Sequence, residues 1–217
     1  MNIRFNTDNN DQEADDEQNE FPHGWDEERV QKVIDYYENQ TEDEALAEDY
    51  HFRAKTHFKK CDFDKAIADY TKVIELNQKD AEAYYTRGKL YDEDGKYDKA
   101  IADFSMAIKL DPEHADAWGF RATLYSERGE YDKAIGGFSK EIKLRPYDAE
   151  TYEERGKIYV KIGEYDKAIA DFTEAIKLIP TFTDVYFERA MTYLRMDKLE
   201  SAMQDFDKIL ELKQELE

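Results

Sequence analysis

The sequence repeats itself every 34 residues, and this period limits what the chain can fold into more than any other feature. Five similar segments each begin 34 residues after the previous one: CDFDKAIADY (61–70), GKYDKAIADF (95–104), GEYDKAIGGF (129–138), GEYDKAIADF (163–172) and DKLESAMQDF (197–206). Periods of about 20 to 50 residues are typical of arrays whose units bury their apolar faces only against neighbouring units. The period therefore predicts a linear array rather than a closed globule.

Opening the repeat at Ala47 gives five complete units: 47–80, 81–114, 115–148, 149–182 and 183–216. We call a residue's position within its unit, from 1 to 34, its place. Place 4 is aromatic, place 8 is Ala or Gly, and place 11 is aromatic or His. These three places share one helical face. Ala at place 20 and an aromatic at place 24 form a similar face in the second half of each unit. We therefore predict two helices per unit.

Turn residues separate these predicted helices. Gly95, Gly129 and Gly163 follow the first helix of their units. The second helix of three units is followed by a proline, which cannot continue a helix. These prolines are Pro112, Pro146 and Pro180.

The combination of period, aromatic places and small places resembles the tetratricopeptide repeat (TPR) family over 170 of the 217 residues. The resemblance implies an all-α fold, namely a right-handed α-solenoid, or superhelix, of antiparallel helix pairs. It also implies that the first helices line a concave groove and that the second helices form the convex back. Members of the family act as scaffolds that bind protein segments, so the resemblance implies a protein or peptide partner.

The residues ahead of the repeats are strongly acidic, with 15 acidic and 3 basic side chains in residues 1–46. Residues 1–22 have almost nothing apolar to bury, which predicts a disordered acidic tail. Residues 23–46 are predicted to form an acidic N-terminal helix or cap, because Val30, Val33, Ile34 and Tyr37 share one helical face. The pattern Thr41-x-x-Glu44 has the form of a capping box and predicts a second helix beginning near residue 42. The TPR domain is expected to span 47–217.

Composition narrows the class of partner and the compartment. The net charge of −21 argues against nucleic acid and against anionic membrane surfaces. No uncharged apolar run approaches the roughly 18 residues of a membrane span. The single cysteine, Cys61, excludes an internal disulfide and fits a reducing compartment, so we expect a cytoplasmic protein.

Charged residues also recur at fixed places inside the repeats. Place 7 is arginine in all five units: Arg53, Arg87, Arg121, Arg155 and Arg189. Place 23 is aspartate in four units: Asp69, Asp103, Asp171 and Asp205. An unpaired buried charge is costly, so we predict an Arg–Asp pair between the two helices of each of these units. The third unit has Gly137 at place 23, and we predict that Glu141, one turn later, supplies its carboxylate.

Two neighbouring glycines, Gly136 and Gly137, weaken the second helix of the third unit by roughly 1 kcal/mol each relative to Ala. They are interpreted either as a tight packing point or as a hinge.

No constellation for catalysis or metal binding is evident. His57 and Cys61 have metal-like spacing, but no second cysteine or nearby histidine completes a tetrahedral site. We therefore expect no catalytic residues, no metal and no cofactor, and we do not expect an enzyme.

The TPR resemblance places partner contacts at first-helix places 2, 5, 6, 9, 12 and 13. The candidate partner-binding residues in the groove are Glu48, His51, Phe52, Lys55, Lys59, Glu82, Tyr85, Lys89, Asp116, Phe120, Glu150, Glu153, Glu154, Lys157, Lys161, Asp184, Phe187 and Arg195. The acids at place 2 are also favoured simply because they lie in a first helical turn. Acids stand where chaperone-binding TPR domains clamp a C-terminal carboxylate, so we predict that heat-shock chaperone tails are not bound in that way.

Two functions remain open at this stage. The first is a non-enzymatic scaffold or adaptor that binds a peptide or helical segment in the groove. The second is an acidic regulatory or antitoxin-like protein, whose N-terminal segment masks the groove or neutralises a basic partner. The apolar residues of the last helix also suggest a homodimer formed through the C-terminal helix.

Overall fold

The computed structural model describes residues 26–214, without the side chains of residues 27 and 36–39. The predicted tail at 1–22 lies outside the described residues. The described part contains eleven α-helices and no strand. Their bounds are α1 Glu27–Asn39, α2 Glu42–Lys59, α3 Phe63–Leu76, α4 Ala81–Glu93, α5 Tyr97–Leu110, α6 Ala115–Glu127, α7 Tyr131–Leu144, α8 Ala149–Lys161, α9 Tyr165–Leu178, α10 Thr183–Arg195 and α11 Leu199–Gln214.

The chain divides into two compact units, residues 1–41 and 42–217. In the first unit, α1 is capped by Asp26, whose carboxylate accepts a hydrogen bond of 2.8 Å from the backbone N–H of Arg29. Val33 and Ile34, on its apolar face, are exposed. The second unit begins with α2 at Glu42, where the capping pattern predicted a helix. The first helix of the first repeat is therefore five residues longer at its start than the repeat register.

Each repeat folds as two adjacent helices, as predicted. The small residue at place 8 faces the aromatic ring at place 24 of the same repeat. A Cβ atom added to Gly88 would lie 2.8 Å from the ring of Phe104, and one added to Gly156 would lie 2.6 Å from the ring of Phe172. Glycine at these places therefore lets the second helix approach closely and bury its ring completely.

The turn after each first helix requires a residue with positive φ. Gly95 and Gly163 have φ values of 70° and 81°, where glycine carries no Cβ penalty. Cys61 and Asp197 occupy the same turn in the first and last repeats, with φ values of 57° and 58°. These two residues therefore adopt a strained backbone conformation. The second helices α5, α7 and α9 end two residues before a proline, as the sequence predicted.

Candidate functional site

The candidate partner-binding residues all lie on the first helices of the repeats. We call the residues at places 2, 5, 6, 9, 12 and 13 of these helices the first-helix surface. By helix, the candidates are Glu48, His51, Phe52, Lys55 and Lys59 on α2; Glu82, Tyr85 and Lys89 on α4; Asp116 and Phe120 on α6; Glu150, Glu153, Glu154, Lys157 and Lys161 on α8; and Asp184, Phe187 and Arg195 on α10.

A cluster of rings spans the junction between the second and third repeats. The ring centroids of Tyr85 and Phe120 lie 5.8 Å apart, and that of His114 lies 4.5 Å from Tyr85. The ammonium group of Lys89 lies 5.5 Å from the Tyr85 ring and 5.3 Å from the Phe120 ring. The cluster rests on the fully buried ring of Phe104, which contacts both outer rings. We call Tyr85, Lys89, His114 and Phe120 the ring platform.

The ring platform is bordered by carboxylates. His114 begins α6, its Nδ1 accepting a long hydrogen bond of 3.4 Å from the backbone N–H of Ala117. Its Nε2 lies 3.4 Å from a carboxylate oxygen of Glu82 without hydrogen-bond geometry. Burial, together with the charges of Asp116 and Glu82, raises the pKa of Tyr85 to about 12. The Tyr85 hydroxyl is therefore neutral at physiological pH and can serve as a hydrogen-bond donor.

Asp116 is held by a residue outside the predicted set. Both of its carboxylate oxygens accept hydrogen bonds of 2.6 Å from the guanidinium of Arg145, at the end of α7. This pairing lowers the pKa of Asp116 although partial burial opposes the shift. A bidentate pair fixes both side chains. Asp116 is therefore ionised, but the positive charge of Arg145 offsets its negative charge at the first-helix surface.

Beneath Asp116, a buried carboxyl fills the space left by a missing side chain. A Cβ atom added to Gly119, at place 5 of the third repeat, would lie 2.4 Å from a carboxyl oxygen of Glu141. Glu141 is 7% exposed, and burial followed by the charge of Asp148 raises its pKa to about 7. A hydrogen bond with Thr151 of the next repeat opposes this rise. Glu141 therefore titrates near neutral pH between two repeats.

On α8, the predicted charged residues neutralise each other. The ammonium group of Lys157 lies 2.7 Å from Glu153 and 2.9 Å from Glu154. Glu153 is itself buried. Place 9 is lysine in the first, second and fourth repeats, and the lysine of the fourth repeat is thus already paired. Lys89, in the second repeat, forms no ion pair within the described residues.

Two rings of the first-helix surface are exposed near the ends of the array. Phe52 on α2 is 76% exposed and Phe187 on α10 is 50% exposed. Large apolar side chains left this open supply contact area for a partner. The surface therefore carries apolar groups at both ends and in the middle.

The predicted Arg–Asp pairs are confirmed in four repeats. In the fourth, for example, Arg155 donates to the two oxygens of Asp171 at 2.8 and 2.7 Å. The other pairs are Arg53–Asp69, Arg87–Asp103 and Arg189–Asp205. These bidentate contacts tie the first helix of each repeat to the second.

The predicted Arg121–Glu141 pair is wrong. Within residues 26–214, Arg121 forms no ion pair; it donates to Ser105 at 2.9 Å and stacks 4.8 Å from the Trp118 ring centroid. Burial without a carboxylate lowers its pKa. Glu141 instead turns toward the gap at Gly119, because the missing side chain makes room there. Gly137 is a tight packing point, as one interpretation held: an added Cβ would lie 2.7 Å from that of Ala122.

In residues 26–214, no group of three His, Cys, Asp or Glu side chains is arranged to hold a metal ion. His57 instead has Asp62 and Asp69 about 4 Å from its two ring nitrogens, at 3.9 and 4.0 Å. Among the described helices, none combines the length and the apolar character needed to span a bilayer.

Models of the TPR family match most of the repeat region. Those described as "Tetratricopeptide repeat" match residues 81–114, 149–182 and 183–216, and one described as "TPR repeat" matches 54–95. Together these ranges cover more than half of the chain, which therefore belongs to the tetratricopeptide repeat family. Comparison of the sequence with curated proteins gives no match.

Solved TPR structures share the fold. A structure described as MamA protein is 27% identical, covers 78% of this chain and 92% of its own, and has a TM-score of 0.74. MamA 41-end from Desulfovibrio magneticus RS-1 is 21% identical, with coverage of 78% and 96% and a TM-score of 0.73. YrrB, described as a TPR protein with an unusual peptide-binding site, is 22% identical, with coverage of 84% and 91% and a TM-score of 0.69. The predicted all-α solenoid is confirmed.

Sequence reasoning missed three contributors to the surface: Arg145, which holds Asp116; His114, which stacks on Tyr85; and Glu141 in its position under Gly119. A sequence signal existed for the last of these. Gly119 lacks a side chain at place 5, and Glu141 has a large one at place 27 of the same repeat. A missing side chain and an unusually large one in the same repeat indicate that the large side chain fills the space left by the missing one.

Proposed function

We propose that this protein is a non-enzymatic scaffold that binds an extended or helical segment of a partner protein along a groove formed by the first-helix surface. TPR proteins act through interactions with other proteins, and the chain belongs to that family. The observation that carries the more specific proposal is the ring platform. It joins two adjacent repeats into one continuous apolar surface with a positive charge above it.

The ring platform can bind an apolar or aromatic side chain of a partner together with a hydrogen-bond acceptor next to it. Tyr85 and Phe120 offer two ring faces that can pack against an apolar or aromatic residue. Lys89, without an ion pair in the described part of the chain, can accept a carboxylate or a carbonyl oxygen of the same segment. An apolar anchor supplies affinity, and a charge beside it supplies selectivity.

The acidic border restricts which segments can bind. Glu82 beside the platform and Glu48 at the equivalent place of the first repeat are exposed. Like charges across an interface are repelled, so segments that are acidic at both ends are disfavoured. The expected exclusion of heat-shock chaperone tails stays a prediction on the same grounds.

The experiment compares partner capture by the full chain and by three variants, Lys89→Glu, Phe120→Ala and Lys109→Glu. Lys89→Glu reverses the charge on the platform, and Lys109→Glu makes the same change on the second helix α5. Partners identified by mass spectrometry with the wild type are then measured singly as peptides by fluorescence anisotropy. We expect Lys89→Glu and Phe120→Ala to weaken binding and Lys109→Glu to leave it unchanged. Equal binding by all four proteins would refute use of the platform.

The alternative function rests on the charge of the N-terminal residues. With 15 acids and 3 bases in residues 1–46, this segment can screen the lysines of the first-helix surface or bind a basic partner, as an acidic regulator or antitoxin would. Removing residues 1–41 distinguishes a segment that masks the groove from one that neutralises a basic partner. Tighter partner binding with a steeper salt dependence favours masking, whereas loss of a basic partner favours neutralisation.

Self-association through the C-terminal helix also stays a prediction. Leu199, Met203 and Leu210 on α11 are all more than half exposed. Sedimentation velocity over a range of protein concentrations tests it directly. A chain that sediments as a monomer into the high micromolar range has no such dimer.

A further inference from the structure

Every junction between repeats contains the same hydrogen bond. The arginine at place 7 uses Nε and Nη2 for the aspartate of its own repeat where one is present, and its Nη1 donates to the hydroxyl at place 25 of the preceding repeat. The four bonds are Arg87–Thr71 at 3.1 Å, Arg121–Ser105 at 2.9 Å, Arg155–Ser139 at 2.9 Å and Arg189–Thr173 at 3.0 Å. Each repeat is therefore joined to the previous one through its first helix.

Two further places complete this junction. Place 3 is a small or β-branched residue and is 0 to 5% exposed: Ala83, Ala117, Thr151 and Val185. Place 10 is 1 to 2% exposed: Leu90, Leu124, Ile158 and Thr192. The covering helix thus presents a small residue, an arginine and a branched residue at positions i, i+4 and i+7, which share one helical face.

The last repeat exposes the surface that this helix covers elsewhere. At place 28, Ile74 and Ile108 are 7 and 8% exposed in earlier repeats, whereas Leu210 is 59% exposed. Met203, at place 21, is 63% exposed. Place 25 is Asp207, exposed and without a hydrogen bond or ion pair in the described part of the chain. This face of α11 therefore carries the same kinds of groups as the internal junctions, namely apolar side chains and a hydrogen-bond acceptor for an arginine. The acceptor here is a carboxylate instead of a hydroxyl.

We propose that this face of α11 docks a basic helix of a partner protein that carries a small residue, an arginine and a leucine or isoleucine at i, i+4 and i+7, with the arginine donating to Asp207. Four internal junctions define the spacing of the partner's residues. A carboxylate in place of a hydroxyl makes the hydrogen bond charge-assisted. Exposed Glu200 on the same helix extends the preference for a basic partner, whereas Glu211 already pairs with Lys208 at 3.0 Å.

A second copy of the chain fits this face poorly. Pairing α11 with α11 places the acids of one helix beside those of the other. In another copy, the place-7 arginine with no preceding repeat is Arg53, which pairs with Asp69 and is 58% exposed. Its helix has Asp49 and Thr56 at places 3 and 10. Asp49 would then be buried against Leu210 without a partner, which is costly. The favoured occupant is therefore a different protein.

The test uses the full chain and an alanine- and lysine-based helical peptide of about 20 residues, long enough to be helical alone, with Ala, Arg and Leu at i, i+4 and i+7. Binding is measured by fluorescence anisotropy. Asp207→Arg should weaken binding about tenfold or more, the effect of losing one charged hydrogen bond. A peptide with glutamate in place of the arginine should restore binding to this variant. Glu113→Arg, the same charge change in an exposed loop, should alter affinity less than about twofold.

Each contrary result overturns the proposal. Equal weakening by Asp207→Arg and Glu113→Arg, or equal binding of a peptide whose arginine is moved by two positions, would mean general attraction to an acidic protein. Loss of peptide binding in Phe120→Ala but not in Asp207→Arg would place the peptide on the first-helix surface. Self-association abolished by Leu210→Glu, with no peptide binding, would identify a second copy as the occupant. The groove proposal is judged separately, by the binding of captured partners to Lys89→Glu and Lys109→Glu.

Discussion

Replacing Glu141 by glutamine is expected to remove a pH dependence of stability that the buried carboxyl imposes. In the folded protein its pKa is about 7, against an ordinary value of 4.5. The folded state therefore holds this proton more tightly than the unfolded state. Between pH 4.5 and pH 7 the unfolded chain has released the proton while the folded chain keeps it, so the free energy of unfolding falls as pH rises through this window. Above about pH 7 the loss is complete.

The magnitude follows from the size of the shift. At about 1.4 kcal/mol for each unit of pKa, the change from 4.5 to about 7 makes the ionised carboxyl cost about 3 kcal/mol. Glutamine keeps the shape and carries no charge. We therefore expect Glu141→Gln to gain about 2 to 3 kcal/mol over the wild type between pH 5 and pH 8. Burial, the main source of this cost, and the charges of Asp148 and Asp116, which add to it, are unchanged in the variant.

Urea denaturation followed by circular dichroism at pH 5, 6, 7 and 8 measures the difference. Glu113→Gln, at an exposed loop position, is the matched control and should parallel the wild type at every pH. Because other titrating groups, such as Asp92, are present in both proteins, their contributions cancel in the comparison. Wild-type and Glu141→Gln curves that stay parallel from pH 5 to pH 8 would refute the reasoning.

Three further changes test other parts of the fold. Asp171→Ala should cost about 3 kcal/mol in urea denaturation because it leaves a buried guanidinium unpaired. Asp69→Ala, whose arginine is more than half exposed, should cost clearly less, and equal losses would contradict the role of burial. Gly119→Ala should cost about 1 to 3 kcal/mol through its clash with Glu141, and much less when Glu141 is also alanine, as a double-mutant cycle would show. Cys61→Gly should raise the free energy of unfolding by about 1 kcal/mol by relieving the positive φ, and a lower thermal midpoint would contradict this.

The pairing of charges could be predicted from the sequence because the repeat fixes distances inside each unit. Places 7 and 23 stay 16 residues apart in every repeat, so one geometric solution serves Arg87 and Arg155 alike. Periodicity reveals contacts that recur.

The departures from the period could not be read in the same way. The carboxyl group of Glu141 could lie either beside the guanidinium of Arg121 or in the gap at Gly119. The structure places it in the gap, and the space available there depends on how the helices pack, which the repeat pattern does not reveal. The start of α2 at Glu42 is another case, because a repeat register says where a pattern recurs and not where a helix begins. Lys157 looked available for a partner but is paired within its own helix.

The hydrogen bond from each place-7 arginine to the preceding hydroxyl bears on how such a gene can change length. A copy of any of the first four units, gained or lost by recombination, brings both partners of this hydrogen bond with it, an arginine at place 7 and a serine or threonine at place 25. The new neighbours then join without any compensating substitution. The third repeat is an exception, because Glu141 forms a hydrogen bond with Thr151 of the repeat that follows. If the third repeat were moved elsewhere in the array, its buried carboxyl would lose this hydrogen bond.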